Sequence, residues 1–563
     1  MSSLQNGTTD KIIALAKKRG FYWQAFEAYG GAGGFFVLGD LGVKLKENIV
    51  KLWKKIFLEQ YGFVEIESPT IVPYAVLEAS GHVESFKDAL AECLNCHNKY
   101  RADHILEEHG QSVSEAIKLE DLEKLFNASE VKCPNCEGKQ WKVSPFMTMF
   151  QTNIGPYTGN AGFLRPETAQ GMFVEFKQIY ESNRTKMPIG VAQIGKVYRN
   201  EISPRQGFIR LREFAQMELE LFFNPSNSKC PYLTHVNDIK MNILDEQKIT
   251  SGDKVPNEVT AIQAIEGGMV KQEWLAFFMA LSEKFMEELG VTKNNQRFKA
   301  KLEGERAHYS AQTYDHEVLL EKYGWTEIAG HAYRQDYDLK SHTAKGSIDL
   351  HVIEDLEKPY KAKNVLAYLN PIAVRSNFPD KAPGIFKQIS QFDPKVLAHK
   401  LQSEGRVSLG GVVLGKEAFT FKEIEETVST RKYIPHVVEP SFGVERIIHS
   451  VLEHAYREKE ERVILSLNAG IAPYKYAVFP LMSKDGLDIQ AQELHKVMDE
   501  KGITSLYDDD GSIGRRYARA DEIGIPKAIT IDYQTLEDGT VTLRDRDSWN
   551  QIRVKLDELK KNL

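Results

Sequence analysis

Residues 191–222, VAQIGKVYRNEISPRQGFIRLREFAQMELELF, combine charge and alternation in a way that can do chemistry. They read as two strands joined by a long loop. Side chains alternate faces along a strand. Arg199 and Glu201 therefore leave the first strand on one side. Phe214, Gln216, Glu218 and Glu220 share one face of the second, and Ala215, Met217, Leu219 and Leu221 share the other. The apolar face suits a core; the polar face offers an aromatic ring, an amide and carboxylates. Alternation alone also fits an ordinary surface hairpin. The connection does not: it runs to about a dozen residues, where a solvated hairpin favours a two-residue turn. It holds Pro204, Arg205, Gly207, Arg210 and Arg212. Arginine presents planar, paired donors to phosphate oxygens, so the loop suits a phosphate clamp, and Phe214 could stack on a base.

Further clusters carry charge at defined spacing. In residues 436–447, HVVEPSFGVERI, Glu439 and Ser441 lie two apart and share a face at a strand end. Gly443 permits a close turn, and Arg446 falls in the first turn of a helix. A cation there opposes the helix dipole, which favours phosphate binding over a purely structural role. In residues 162–171, GFLRPETAQG, Glu167 follows a proline and begins a helical stretch. It reads either as a helix-start charge or as a ligand for a cation. Glu327-Ile328 lies on a strand within residues 307–342. His308, His316, His331 and His342 are not spaced as metal ligands on one helical face and read as structural or surface residues.

Cys93-Leu94-Asn95-Cys96 and Cys133-Pro134-Asn135-Cys136 form two C-x-x-C pairs separated by 36 residues. Two such pairs can hold zinc tetrahedrally. The spacer exceeds the usual length, but a helical segment over 104–126 can loop out; free thiols and a redox pair are the alternatives. Ser80-Gly81-His82-Val83 and Phe86 precede the first pair. Arg101-Ala102-Asp103-His104 lies between the pairs and reads locally as a helix start.

The elements that position these groups follow from the rest of the chain. Residues 11–28 read as a helix of mixed charge. Tyr29-Gly30-Gly31-Ala32-Gly33-Gly34 lacks both phosphate-loop spacings and reads as a flexible connection. Residues 43–61 form a long amphipathic helix through Leu45, Ile49, Leu52, Trp53 and Ile56. A strand over 63–67 ends towards Pro69 and Pro73. Residues 225–306 read as a polar, helical insertion. From residue 471 strands and helices alternate, which predicts an α/β domain with a largely parallel sheet.

Composition sets the outer bounds. With 563 residues, two to four domains are expected. Hydrophobic content of 42% and charged content of 27% are those of a soluble protein. No apolar run reaches the roughly 20 residues of a bilayer span, and the first 20 residues lack the apolar core of a secretory signal. Paired cysteines argue for a reducing compartment. A net charge of -7 leaves nucleic-acid binding to a local basic patch.

Arg199-Asn200-Glu201, the basic loop and Arg212-Glu213-Phe214 together resemble motif 2 of the class II aminoacyl-tRNA synthetases. The long helix, strand and Pro73 are similar to motif 1, which builds the dimer interface in that family, and residues 436–447 to motif 3. Arg165-Pro166-Glu167-Thr168-Ala169-Gln170 and Arg101-Ala102-Asp103-His104 resemble the glycyl-tRNA synthetases of the archaeal and eukaryotic dimeric type. Residues 514–526, GRRYARADEIGIP, resemble the anticodon-binding domain of the glycyl, histidyl, prolyl and threonyl enzymes. The resemblance runs from residue 11 to the end.

It implies an α+β class II catalytic domain, an antiparallel sheet flanked by helices with insertions, followed by a C-terminal α/β anticodon-binding domain. The expected divisions are 1–90 with motif 1, 91–145 with the cysteine pairs, 146–224 with motif 2, an insertion at 225–306, 307–470 with motif 3, and 471–563. The implied reaction is ATP-dependent attachment of glycine to the 3' end of tRNA(Gly) through glycyl-adenylate, in a cytoplasmic homodimer without membrane contact. Arg199, Glu201 and Arg446 are the implied catalytic residues. ATP would be bound by these with Asn200, Ile209, Arg210, Leu211, Arg212, Glu213, Phe214, Glu327, Ile328, Gly443, Val444 and Glu445. Glu327 would take the magnesium ion of ATP. Glycine would be bound by Arg101, Glu167, Phe214, Gln216, Glu218, Glu439, Ser441 and Gly443. Arg515, Arg516, Tyr517 and Arg519 would meet anticodon bases by charge and stacking. Two other readings stay open: another class II specificity, such as prolyl or threonyl, and a synthetase-like protein without catalysis. The acidic cluster disfavours the first, and the presence of Arg199, Glu201 and Arg446 disfavours the second.

Overall fold

The structure is a computed structural model, and it describes residues 7–111, 117, 119–128, 131–156, 159–184, 186–204, 206–307 and 309–562. Arg205 and His308 lie outside the described residues. Two compact units are present, one of residues 1–350 with 435–563 and one of residues 351–434.

The first unit is built on a nine-stranded sheet. Its strands are β1 (Val64–Glu65), β2 (Ile189–Tyr198), β3 (Glu213–Phe223), β4 (Lys240–Leu244), β5 (Asn257–Thr260), β6 (Gln296–Ala300), β7 (Gln312–Leu320), β8 (Gly324–Gln335) and β9 (His436–Gly443). Their order is β5-β4-β6-β7-β8-β9-β3-β2-β1. Pairing is antiparallel except for β1 on β2 and β4 on β6. The alternation in β3 places Met217, Leu219 and Leu221 in the core.

Helix α1 (Asp40–Phe57) buries Leu45, Ile49, Trp53 and Ile56, one stripe at three- and four-residue spacing. Trp53 stacks on Phe57 at 5.3 Å, and both rings meet Phe442 of β9 edge-on. Helix α2 (Glu273–Glu288) is buried on nearly all sides, as a helix apolar all round must be.

Residues 225–306, read from the sequence as an insertion, contribute to this sheet. Strands β4, β5 and β6 and helix α2 all fall there and form one wing of the main sheet and its backing. The separate unit is 351–434, which falls between β8 and β9. There a long antiparallel ribbon, Val352–Leu369 with Phe419–Tyr433, packs helices Pro371–Asn377, Ala382–Ile389 and Pro394–Glu404 around its own core of Val374, Ile385, Leu397 and Leu401.

The glycine-rich segment is pinned. It forms the tip of a hairpin, Tyr22–Gln24 with Phe36–Leu38. Arg212 Nη1 donates to the Gly33 carbonyl at 2.9 Å, and the Arg212 amide donates to Gly34 at 2.8 Å. The first helix correspondingly stops at Arg19, capped by Gly20.

The C-terminal sheet comprises β10 (Tyr476–Pro480), β11 (Ser505–Tyr507), β12 (Lys527–Ile531), β13 (Thr540–Asp545) and β14 (Gln551–Lys555), in the order β11-β10-β12-β13-β14. The first three strands run parallel and the last two antiparallel. None of the described helices is long and apolar enough to cross a membrane.

Candidate active site

Register across the sheet assembles the site. Ser441 on β9 lies opposite Glu218 on β3 and Gly330 on β8, and Glu439 lies opposite Ala332. These rows floor a cavity of about 220 Å³. It is lined by Arg199, Glu201, Ile209, Arg210, Leu211 and Phe214 of the motif-2-like stretch. Glu327, Ile328, Gly443, Glu445 and Arg446 line it from the other side, and Glu167, Gln216, Glu218, Glu439 and Ser441 close its inner end.

One end is basic. The Arg199 guanidinium lies 5.5 Å from the Phe214 ring centre and donates to the Pro166 carbonyl at 3.2 Å. Arg446 donates to the carbonyls of Ile209 (3.0 Å) and Glu327 (2.8 Å), so two backbone oxygens hold it. Arg210 Nε donates to Glu201 Oε2 at 2.7 Å. Burial disfavours charge on Glu327, but Arg446, Lys301 and Arg199 outweigh it and hold the carboxylate below its usual range. Asp315 on β7 behaves oppositely. Burial and the nearby Glu327 charge push it up to about 7.

The inner end is acidic. Glu218 Oε2 accepts from the Thr168 amide at 2.8 Å and from its hydroxyl, while Oε1 accepts from Ser441 Oγ at 2.6 Å. Glu167 Oε1 accepts from Gln170 at 3.0 Å. Glu439 accepts from Arg334 at 2.9 Å, and Asp338 takes two further hydrogen bonds from the same guanidinium. Asp338, Glu439 and Glu167 thus lie about the Arg334 guanidinium, with Glu220 also within its field and Glu218 buried beside Glu167. Burial and the Glu439 charge raise Glu220 well above the carboxylate range. Burial raises Glu439 to about 7 despite Arg334. Glu167 is held low instead, because His82 and Arg334 outweigh its burial. Gln216 Oε1 is buried without a hydrogen-bond partner.

Several expected site residues fall elsewhere. Arg101 lines a neighbouring cavity with His104 and Arg210 and pairs with Asp103 at 2.8 Å. Arg212 holds the carbonyls of Glu201 and Gly33 and acts on the loop. Val444 is in the core. Glu213 faces Lys196, and the Asn200 amide donates to Thr148. Glu445 does line the cavity but clamps the Ala215 amide at 2.8 Å. Sequence reasoning missed the roles of Arg334, Asp338, Glu220 and Asp315.

Beside the C-terminal sheet, helix α3 (Ile513–Glu522) turns Arg516 and Tyr517 inward. Arg516 donates to the carbonyls of Pro480 and Gly511, and Tyr517 bonds Thr530 at 2.6 Å. Arg515 is exposed, and Arg519 pairs with Asp508 at 2.7 Å.

The four cysteines converge, with all Sγ atoms within 4.8 Å of one another. Cys93–Cys136 and Cys96–Cys133 are 3.6 and 3.7 Å apart. Sulfurs at tetrahedral corners about 2.3 Å from a zinc ion would be about 3.8 Å apart. The two turns match: the amides of His97 and Glu137 donate to Cys93 and Cys133, both at 2.9 Å. The donor set therefore fits zinc.

Comparison with known proteins agrees with this architecture. Residues 158–455 match the tRNA synthetase class II core domain (G, H, P, S and T), and residues 475–563 match the anticodon binding domain. A glycine–tRNA ligase from Aeropyrum pernix is 42% identical over 555 residues, covering 98% of this chain and 95% of that protein. One from Methanocaldococcus jannaschii is 41% identical, with 98% and 97% covered. One from Pyrococcus horikoshii is 42% identical, with 99% of both covered. Among solved structures, prolyl-tRNA synthetase from Cryptosporidium parvum, complexed with L-proline and AMP, superposes with a TM-score of 0.53 at 12% identity. That superposition covers 99% of this chain and 74% of the other, and shares the fold. The chain belongs to the glycine–tRNA ligases, which are class II aminoacyl-tRNA synthetases.

Proposed function

We propose that the acidic inner end of the cavity selects glycine by its ammonium group and that the basic end holds ATP for attack by the glycine carboxylate. The enzyme attaches glycine to tRNA(Gly) in two steps. Glycine attacks the α-phosphate of ATP, giving glycyl-adenylate and pyrophosphate; the terminal ribose hydroxyl of tRNA then attacks the adenylate carbonyl and releases AMP. Neither step needs a nucleophilic side chain, so positioning and charge neutralisation supply the catalysis.

The observation that carries the glycine site is the charge imbalance around Arg334. Buried carboxyl groups outnumber the guanidinium beside them, and burial raises Glu218, Glu220 and Glu439; a further cation would favour their ionised forms, and an α-ammonium group supplies one. Glu167, Glu218, Glu439 and Ser441 would receive it. Glycine has no side chain to grip, so affinity must come from its two charged ends. Alanine is refused by steric exclusion, since a small pocket rejects a larger substrate far better than the reverse. Arg199 would bridge the α-phosphate and the attacking carboxylate, Phe214 would stack on adenine, and Arg446 would meet the γ-phosphate. Glu201, already bound to Arg210, would orient that arginine on the triphosphate and meet the adenine amino group.

Glu327 and Asp315 fit a magnesium ion bound with ATP, because the repulsion between these two acids is relieved by a cation. When bound, the ion supplies charge neutralisation on the triphosphate. The cysteine cluster would hold structural zinc, and metal analysis of protein purified without chelators should return one zinc per chain. Homodimerisation through the motif-1-like region is supported by the exposed apolar side chains of Val43, Ile71, Tyr74 and Ile154. Arg515 and Arg519 would serve the anticodon.

Amino-acid-dependent ATP–pyrophosphate exchange, with each of the twenty amino acids offered alone, tests the pocket. Exchange with glycine only is expected. Exchange with alanine or proline at comparable kcat/KM would overturn the ammonium-and-size account.

A further inference from the structure

The Ser80-Gly81-His82 segment, distinctive in sequence, lies directly behind the acidic end of the cavity. His82 and Ser80 are both buried. Ser80 Oγ is 2.8 Å from His82 Nδ1, and His82 Nε2 is 3.3 Å from Glu167 Oε1. Phe86 stacks on the imidazole, with ring centres 4.8 Å apart and planes 26° apart, and fixes its orientation. The Arg199 guanidinium also lies 5.9 Å from the Phe86 ring centre. Glu167 is otherwise held on Oε1 by Gln170, and Arg334 Nη2 is 3.7 Å away.

The proton arrangement follows from these distances. If the Ser80 hydroxyl donates to Nδ1, the proton of a neutral imidazole sits on Nε2, the ring nitrogen nearer Glu167. If Ser80 donates instead to the Val76 or Leu77 carbonyl, both of which lie within reach (3.2 and 3.3 Å), it accepts from Nδ1–H. In either arrangement Nε2 stays 3.3 Å from Glu167 Oε1, a close polar contact without the alignment of a hydrogen bond, and Ser80 and Phe86 hold the ring there.

We infer that His82 is a positioning residue for glycine activation: through its Nε2 contact it aims the Glu167 carboxylate that receives the substrate ammonium group. This rests on the reading of Glu167 as an ammonium ligand. His82 does not line the cavity and touches neither substrate. Its effect reaches the reaction through Glu167.

The test is a set of full-length variants, His82→Leu, His82→Gln, Glu167→Gln and the double variant His82→Leu/Glu167→Gln, assayed by glycine-dependent ATP–pyrophosphate exchange. His82→Leu should raise the glycine KM about tenfold or more, the scale of a lost polar contact to a buried charge, while the ATP KM moves less than about twofold. His82→Gln, whose amide can donate to Glu167, should recover most of the loss. The double variant should bind glycine no worse than Glu167→Gln alone, because coupled residues are non-additive. Equal rises in the glycine and ATP KM values, additive losses, or an unchanged glycine KM in His82→Leu would each overturn the role of His82. An unchanged glycine KM in Glu167→Gln would overturn the underlying ammonium assignment instead. A drop in melting temperature in His82→Leu without rescue by His82→Gln would reduce the residue to packing.

Discussion

Glu218 separates charge from shape at the substrate end of the cavity. Its two oxygens accept from Thr168 and Ser441. A glutamine can keep both contacts, with its carbonyl towards Thr168 and its amide towards the Ser441 oxygen. Glu218→Gln therefore removes a charge and little else, and the glycine KM should rise about ten- to a hundredfold, the value of a charged hydrogen bond. The ATP KM should hold. Pyrophosphate exchange against each substrate reads both, and a glycine KM within twofold of wild type would contradict the assignment. Glu439 adds a pH dependence. Burial lifts it to about 7 against the pull of Arg334. Ammonium favours the ionised form, so kcat/KM for glycine should fall as pH drops through about 7, and Glu439→Gln should flatten that limb. Folding responds in the opposite sense. A raised carboxyl contributes stability fully below its unfolded value, and this is lost as pH rises through about 7. Glu167, Glu218 and Glu439 were legible from their wording and alternation. Arg334 was not, because its partners Glu439 and Glu167 are 105 and 167 residues away in sequence and meet it only in the fold. Arg516 and Tyr517 misled because charge and aromaticity were weighed ahead of periodicity. With Ala520 and Asp521 they mark the buried stripe of their helix.

At the scale of elements, the glycine-rich hairpin tip is a brace for the loop between β2 and β3. Gly34 has φ of +77°, and a Cβ there would meet Pro204 Cγ at 2.9 Å and the Arg212 amide at 3.1 Å. Gly30 has a similar φ of +88° with nothing within 4 Å. The pair separates backbone strain from collision. Gly30→Ala should lower stability by about 1 kcal/mol and leave kinetics alone. Gly34→Ala should lower stability by about 1–3 kcal/mol and raise the ATP KM several-fold, because Arg212 and the loop carrying Arg210 must shift. Melting curves and ATP titrations check both, and equal kinetics in the two variants would remove the brace. Residues 29–34 read as a free linker because glycine richness reports what the backbone can adopt, whereas the hydrogen bonds that fix it come from Arg212, far along the chain. The cysteine element was readable because its ligands carry the geometry locally, in two matching turns.

For the whole molecule, the sequence pattern identified both sheets and the order of the motifs but not the compact unit at 351–434. Residues 225–306 look polar and helical because β4, β5 and β6 are short strands of four or five residues, too brief for alternation to stand out. Residues 351–434 look like more of the same domain because they contain ordinary strands and helices. Only the contacts show that Val374, Ile385, Leu397 and Leu401 form a core of their own. That core has a consequence for activity. Val352 and Tyr433 are paired residues at the open end of the ribbon, so the chain leaves and re-enters this unit at neighbouring positions. The catalytic register, Glu218 to Ser441 to Gly330, is set wholly by β3, β9 and β8. Replacing residues 351–434 with a short glycine-containing turn should therefore leave adenylate formation within a few-fold of wild type, since loop-closure entropy changes slowly with length. Glycine-dependent pyrophosphate exchange measures this, and circular dichroism establishes that the remainder is folded. Exchange lost from a folded protein would mean that β8 and β9 depend on this unit for their register, and that the site is built by both units rather than by the main sheet.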